Sequence, residues 1–496
     1  MRVSWSLFLI VSSLFLLSVY SEEVKVNTTT TAAAKTKVEP KHPPVETLKS
    51  ALCKKCKCDK FKLLLDCSHL GLTEWFKVDE IDTLIYGSIA FETIDLSHNN
   101  LTEVPAFPNL RVKNLLLNFN KIDKIADQAF LNLTLLTKLD LSNNKINNNG
   151  FIPNIFEGHY STTEYLPLEY LRELNLADNE LHKLREDIFE HCDNLEILSL
   201  SRNGFKMFDK DTIHAIEDLH NLKFLDLSYM QLSNLPHEIL HASDSLDTVV
   251  LTGNLFKKIP ADALGNSINL KRLNLDENPI VEVGGDSVFP KLEGLEYLSL
   301  SYMSDLKTIG VGAFSNLPNL KTLQISHNQL LTTISVEAFA SYDKKNTSIV
   351  TYPKLENLYL DSNNLKKLDE KLLYNWQSLQ QINLNNNTWD CDDHNTWLVS
   401  YFVPFIHNFL GSSMTRNIKC ATPADMKDKL VYEVHVQTRD STVEGTSGGS
   451  IVLGIFIGIV VGIPMTFGVL LILRKYRNNT PSVNYNRARF ENNFDI

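Results

Sequence analysis

Between about Phe91 and Trp389 the apolar positions of this chain return in one eleven-residue phrase, L-x-x-L-x-L-x-x-N-x-L. It is plain at Leu270, Leu273, Leu275, Asn278 and Ile280, and again at Leu355, Leu358, Leu360, Asn363 and Leu365. The L-x-L centre alternates apolar and polar, which predicts a short strand with one face turned inward. One such unit cannot bury its apolar face alone. Stacked units can, so the period predicts a solenoid whose strands pair in parallel and leave one long sheet surface for a partner.

The ninth position carries Asn99, Asn120, Asn144, Asn179, Asn203, Met230, Asn254, Asn278, Met303, Asn328, Asn363 and Asn387. An Asn there can satisfy backbone groups of the turn and so form a ladder through the stack. Met230 and Met303 keep the apolar volume without those hydrogen bonds, either as tolerated drift or with a local change of curvature. Beyond the ladder, phrases such as Ala313-Phe314 and Ala338-Phe339 are expected to close the convex side. The two longest steps hold insertions at about Asn147 to Glu169 and Tyr342 to Pro353.

The ends place the chain. Residues 1–21 read as a signal peptide: Arg2, an apolar run Leu7 to Leu17, then small residues to Ser21. Residues 22–52 form an aperiodic Thr-, Ala-, Pro- and Lys-rich leader. Residues 451–473 carry no charge and suit a membrane helix, with Arg474, Lys475 and Arg477 directly after it. The positive flank puts the N-terminal body outside, as a type I protein of the plasma membrane. Between lie an N-terminal cysteine cap at 53–75, the repeats at 76–389, a C-terminal cap at 390–440 and a linker at 441–450. A tail at 474–496 is too short for a signalling domain.

Seven cysteines fall in this oxidising setting. Cys53, Cys56, Cys58 and Cys67 crowd the start, and Cys391 and Cys420 flank the end. The first four allow three pairings or, less in keeping with the compartment, a zinc cluster. Cys192 takes the slot that holds Leu133, Leu292 and Leu317 in other repeats, so it is expected to be a buried free thiol. The formal charge of −11 argues against nucleic acid, and no basic patch with interleaved aromatics stands out.

Little else points to chemistry. His237-Glu238-Ile239-Leu240-His241 has the H-E-x-x-H form of zinc proteases, but it aligns in frame with Pro260 to Gly265 one repeat on, where a coil has no room for a catalytic helix. Asp392-Asp393-His394 reads as a solvated loop. No enzyme, metal or cofactor is expected.

These features resemble the extracellular leucine-rich repeat proteins with cysteine-capped ends and one membrane span, the plan of insect Toll ectodomains, Slit, and the Capricious/Tartan and Connectin adhesion proteins. The resemblance covers roughly Cys53 to Cys420. It implies an α/β solenoid, a horseshoe with its parallel sheet on the concave face, and the pairs Cys53–Cys58 and Cys56–Cys67. The C-terminal cap departs from the family pattern: Thr388 stands for Pro and Asp393 for the second Cys, which leaves Cys391 with Cys420. The family implies protein recognition at the cell surface, as receptor or adhesion molecule. An innate-immune receptor for a microbial or secreted ligand and a tethered extracellular scaffold are the alternatives.

On the concave face, Ile197, Phe224, Asp226, Tyr229 and Val250 gather apolar, aromatic and acidic character as a candidate ligand site. Asn27, Asn100, Asn132, Asn346 and Asn386 begin lumenal glycosylation signals. Gly454, Gly458 and Gly462 share the register that lets two spans approach, which suits a homodimer. The terminal Phe494-Asp495-Ile496 has the form that a PDZ-type adaptor takes up as an added strand.

Overall fold

The structure is a computed structural model. It describes residues 52–434 apart from 60, 77–90, 161–164, 167, 241–243, 266, 343–349 and 376–377. The signal peptide, the leader up to residue 51, the segment 451–473 and the tail lie outside the described residues. Among the described residues no helix is long and apolar enough to cross a membrane.

The chain divides into two compact units, Met1–Ile280 with Ser287–Ser299 and Val281–Asp286 with Leu300–Ile496. The first is built on a parallel sheet in strict register. Strands Lys138–Asp140, Glu173–Asn175, Ile197–Ser199, Phe224–Asp226, Thr248–Val250, Arg272–Asn274 and Tyr297–Ser299 pair each with the next. Their middle residues, Leu139, Leu174, Leu198, Leu225, Val249, Leu273 and Leu298, are all buried. Leu64–Asp66, Phe91–Asp95 and Val112–Leu116 extend this sheet toward the N-terminus, where Lys57–Asp59 adds an antiparallel edge. Alternation does this directly: the central apolar residue enters the core while its neighbours face the other way.

The second unit repeats the plan with Thr322–Gln324, Asn357–Tyr359 and Gln381–Asn383 in parallel. A separate small parallel sheet joins Glu282–Val283, Thr308–Ile309 and Thr333–Ile334. The fold is thus a β-solenoid rather than the expected α/β one. Units this short leave room after the strand for turns and little more. Lys210–Glu217 is the longest described α-helix of the repeats, capped by Asp209, whose side chain accepts the Thr212 N–H.

The ladder is present atom by atom. Asn120 Nδ2 donates to the carbonyls of Leu96 and Leu117, both at 3.0 Å, while its Oδ1 accepts the Leu101 N–H at 3.0 Å. Asn144 and Asn179 do the same one and two coils on. Outside the sheet, Phe107, Phe130 and Phe156 stack with centroids 6.2 and 5.9 Å apart, and Phe314 meets Phe339 at 5.1 Å. Phe156 belongs to the first insertion, which therefore contributes core as well as surface. Met230 and Met303 are fully buried, as is Cys192 in its leucine slot. Burial pushes the Cys192 thiol well up.

Each end carries a cap. Cys53 is bonded to Cys58, Cys56 to Cys67 and Cys391 to Cys420. In the C-terminal cap Trp389 is buried, with Nε1 donating to the Leu384 carbonyl at 3.1 Å. The helix Val403–Phe409 supplies Ile406 to the cap core.

Candidate binding surface on the inner sheet

The exposed face of the sheet is set by the strands themselves. In Ile197–Ser199, Phe224–Asp226 and Thr248–Val250 the two end residues are half-buried and the middle one is buried. Register places Ile197 beside Phe224 and Asp226 beside Val250. Four of the five expected site residues thus meet on three adjacent strands. Tyr229 does not share their row.

Tyr229 sits in a second row that the sequence did not announce. The residue before every ladder position adopts a left-handed backbone: His98, Phe119, Asn143, Asp178, Arg202, Tyr229, Gly253, Glu277, Tyr302, His327, Ser362 and Asn386. Side chains of neighbouring coils stack along this row. His69, His98 and Phe119 lie ring on ring at 4.2 and 4.4 Å, and Tyr302 on His327 at 4.4 Å.

In this row Tyr229 lies across Gly253. A Cβ at Gly253 would fall 2.3 Å from two ring carbons, so the missing side chain is what seats the ring. The phenol then donates to Glu277 Oε1 at 2.7 Å, and the Arg202 guanidinium covers the ring at 4.2 Å. Burial, and after it the bond to Glu277, push the phenol up to about 12. Tyr297 is covered in a similar way by Arg272 at 4.3 Å.

The acidic column has a structural task as well. Asp226 Oδ1 accepts the Ser228 N–H at 3.0 Å and Oδ2 accepts the Ser199 hydroxyl at 3.1 Å. Asp95, Asp140, Asn175 and Asn274 hold the N–H two residues on in the same manner. These are side-chain turns that bend the chain out of each strand. The D-x-S spacing was the available signal. Much of the remaining charge is paired: Glu92 with Lys113 at 2.9 Å, Lys138 with Glu173, and Glu196 with Lys223 at 2.7 Å and Arg172 at 3.6 Å.

The same coils are matched by family models. Leucine rich repeat models cover residues 169–232, 268–330 and 293–344, with a further match at 135–159. These matches identify leucine-rich repeats in the chain. The chain is 31% identical over 221 residues to lumican of Rattus norvegicus, covering 42% of this chain and 63% of that protein. To keratocan of Gallus gallus it is 30% identical over 203 residues, covering 39% and 50%. The repeat chain thus spans between half and somewhat under two thirds of these relatives. Among solved structures, the Drosophila Toll–Spatzle complex in its glycosylated form matches with a TM-score of 0.46 and 21% identity, over 70% of this chain and 48% of that one.

Other predicted residues of the repeat protein are placed as follows. Asn100 is half-buried, and Asn132 Nδ2 donates to the Phe107 carbonyl at 2.9 Å. Asn386 takes the left-handed turn with φ 55°. Asn27, Asn346, Gly454, Gly458, Gly462 and Ile496 lie outside the described residues. His237 and Glu238 sit on a turn, with His237 Nδ1 2.8 Å from Glu238 Oε1; His241 is outside the described residues. Among the described residues no group of three His, Cys, Asp or Glu could hold a metal.

Proposed function

We propose that this chain is a cell-surface recognition protein, a receptor or adhesion molecule of the plasma membrane. Its repeat body faces outward, residues 451–473 anchor it, and a protein ligand docks on the inner sheet at Ile197, Phe224, Asp226, Tyr229 and Val250. One observation carries this reading: Ile197 lies beside Phe224 on paired strands, and Val250 lies on the same face one strand further on, beside Asp226, all of them half-buried. A ladder-locked sheet presents them with little conformational cost on binding. Three disulfides support an oxidising compartment.

The test is a binding screen of the full chain, displayed on cells, against secreted and cell-surface proteins. Phe224→Ala should then weaken the ligand found by about 1–2 kcal/mol. Thr248→Asn with Val250→Thr writes a glycosylation signal into the patch. A confirmed glycan there with undiminished binding would move the site elsewhere. A C-terminal epitope reachable on intact cells would overturn the orientation.

A further inference from the structure

The N-terminal cap carries a second surface, unlike the inner sheet. The chain is acidic overall, yet residues 54–62 hold five lysines against one acid, Asp59. Lys54, Lys55, Lys57 and Lys62 are described, and all four are exposed. Asp59 is folded into its own turn, where Oδ1 accepts the N–H groups of Phe61 at 2.9 Å and Lys62 at 3.1 Å. Asp66, opposite Lys57 on the next strand, is occupied by the Ser68 hydroxyl and N–H. At the tip of this hairpin Phe61 is 89% exposed, more than any other large apolar side chain described. Two disulfides, Cys53–Cys58 and Cys56–Cys67, pin the hairpin beneath it. The lysines and Phe61 stand in the sequence beside the cysteines; the hairpin is what gathers them into a basic tip crowned by an aromatic ring.

We propose that this cap tip binds a sulfated polysaccharide of the glycosaminoglycan class. Lysine ammonium groups match sulfate and carboxylate as point charges. The C–H faces of sugar rings pack on an aromatic face, which gives Phe61 a use that a bare anion would not. The oxidised cap also places the site where sulfated polysaccharides are the prevalent polyanions. The assignment is independent of which protein, if any, occupies the inner sheet.

Heparin serves as the probe. The full chain in mild non-ionic detergent is loaded on heparin-agarose and eluted with salt. Retention is expected at about 0.15 M salt, where screening is already strong. Lys54→Glu with Lys57→Glu and Lys62→Glu should flow through, and the Gln triple serves if the Glu triple does not fold. The slope of log affinity against log salt should fall by roughly two to three, since each lysine contact releases about one counterion. Phe61→Ala should elute earlier with an unchanged slope. Soluble heparin should displace the chain, whereas desulfated heparin and polyglutamate should not. Failure of the wild type to bind, equal retention of the charge variants, or equal displacement by polyglutamate or desulfated heparin would overturn the proposal. Unchanged elution of Phe61→Ala would overturn the polysaccharide assignment.

Discussion

The coil at Asn120 and the coil at Met230 present the same strand and the same buried leucines, yet they are held by different means. Asn120 bonds its own turn and the coil before it. Met230 contributes only volume, and the neighbours take over. Asn254 Oδ1 accepts two N–H groups, from Met230 at 3.1 Å and Leu232 at 3.0 Å. From the other side, the Met230 carbonyl accepts the Lys206 N–H at 3.0 Å. The ladder is thus a property of the stack rather than of each unit, and one coil can be missing its rung if the next has spare acceptor capacity.

This contrast is broken most severely at Asn254. Asn254→Leu removes the acceptor shared by two N–H groups and the donor to the Leu227 and Leu251 carbonyls. Leaving buried backbone groups unsatisfied costs about 1–3 kcal/mol each. A loss on the order of 4 kcal/mol is expected from that cost, larger than for Asn144→Leu, whose Oδ1 accepts one N–H, from Ile122. Denaturant unfolding of the two variants side by side measures the difference. An equal loss would mean that the Met coil does not lean on its neighbour.

Leucine phrase, strand, ladder and Ala-Phe closure were legible because each rests on a residue type repeated at a fixed step. What stayed hidden has no such type. The left-handed row holds His, Phe, Asn, Asp, Arg, Tyr and Glu, with glycine at Gly253 alone, so its backbone conformation left no composition signal. Asp226 read as surface charge, although its bond to Ser228 makes it part of the turn. Tyr229 read as a free anchor, because its reach over Gly253 to Glu277 spans two coils and is visible only in three dimensions. Strand alternation alone assigns Ile197, Phe224 and Val250 to strand ends, where the structure has them half-buried.

The next effect is at Gly253, where the coil after Met230 differs from the others by lacking a side chain in the left-handed row. Gly253→Ala puts a methyl group against the Tyr229 ring. A left-handed Ala costs about 1 kcal/mol, and losing the phenol's bond to Glu277 adds about 1 more. The titration gives a sharper reading. In the native protein the Tyr229 phenol is held up to about 12, against an ordinary value of 10.0. The stability this represents is complete below the unfolded value and lost as pH rises through the folded one. In Gly253→Ala the late-ionising phenol should move back toward its ordinary value, read by ultraviolet absorbance. An unchanged titration would show that the glycine does not seat the ring.

The smallest effect should come from repairing the broken rung. Met230→Asn gives the coil back an amide that can donate to its own turn and to the coil before, and each net hydrogen bond is worth about 1 kcal/mol. It also removes a fully buried thioether chain, whose burial is worth about 1.5–3 kcal/mol. Neighbouring groups have already been partnered around the methionine: the Leu227 carbonyl accepts Asn254 Nδ2 at 2.8 Å, and Lys206 donates to the Met230 carbonyl. The new amide would share such carbonyls as Asn120 does, since Leu96 also accepts Asn99 and Leu117 also accepts Asn144, while the apolar burial is lost in full. The balance of these terms should fall within about 1 kcal/mol, on the destabilising side. The double variant with Asn254→Leu decides the interpretation. If the introduced amide can carry the rung, it should recover part of the Asn254→Leu loss, because the Leu227 carbonyl would regain a donor. If the two losses simply add, the stack at Met230 has settled around the methionine, and the rung cannot be restored by one residue.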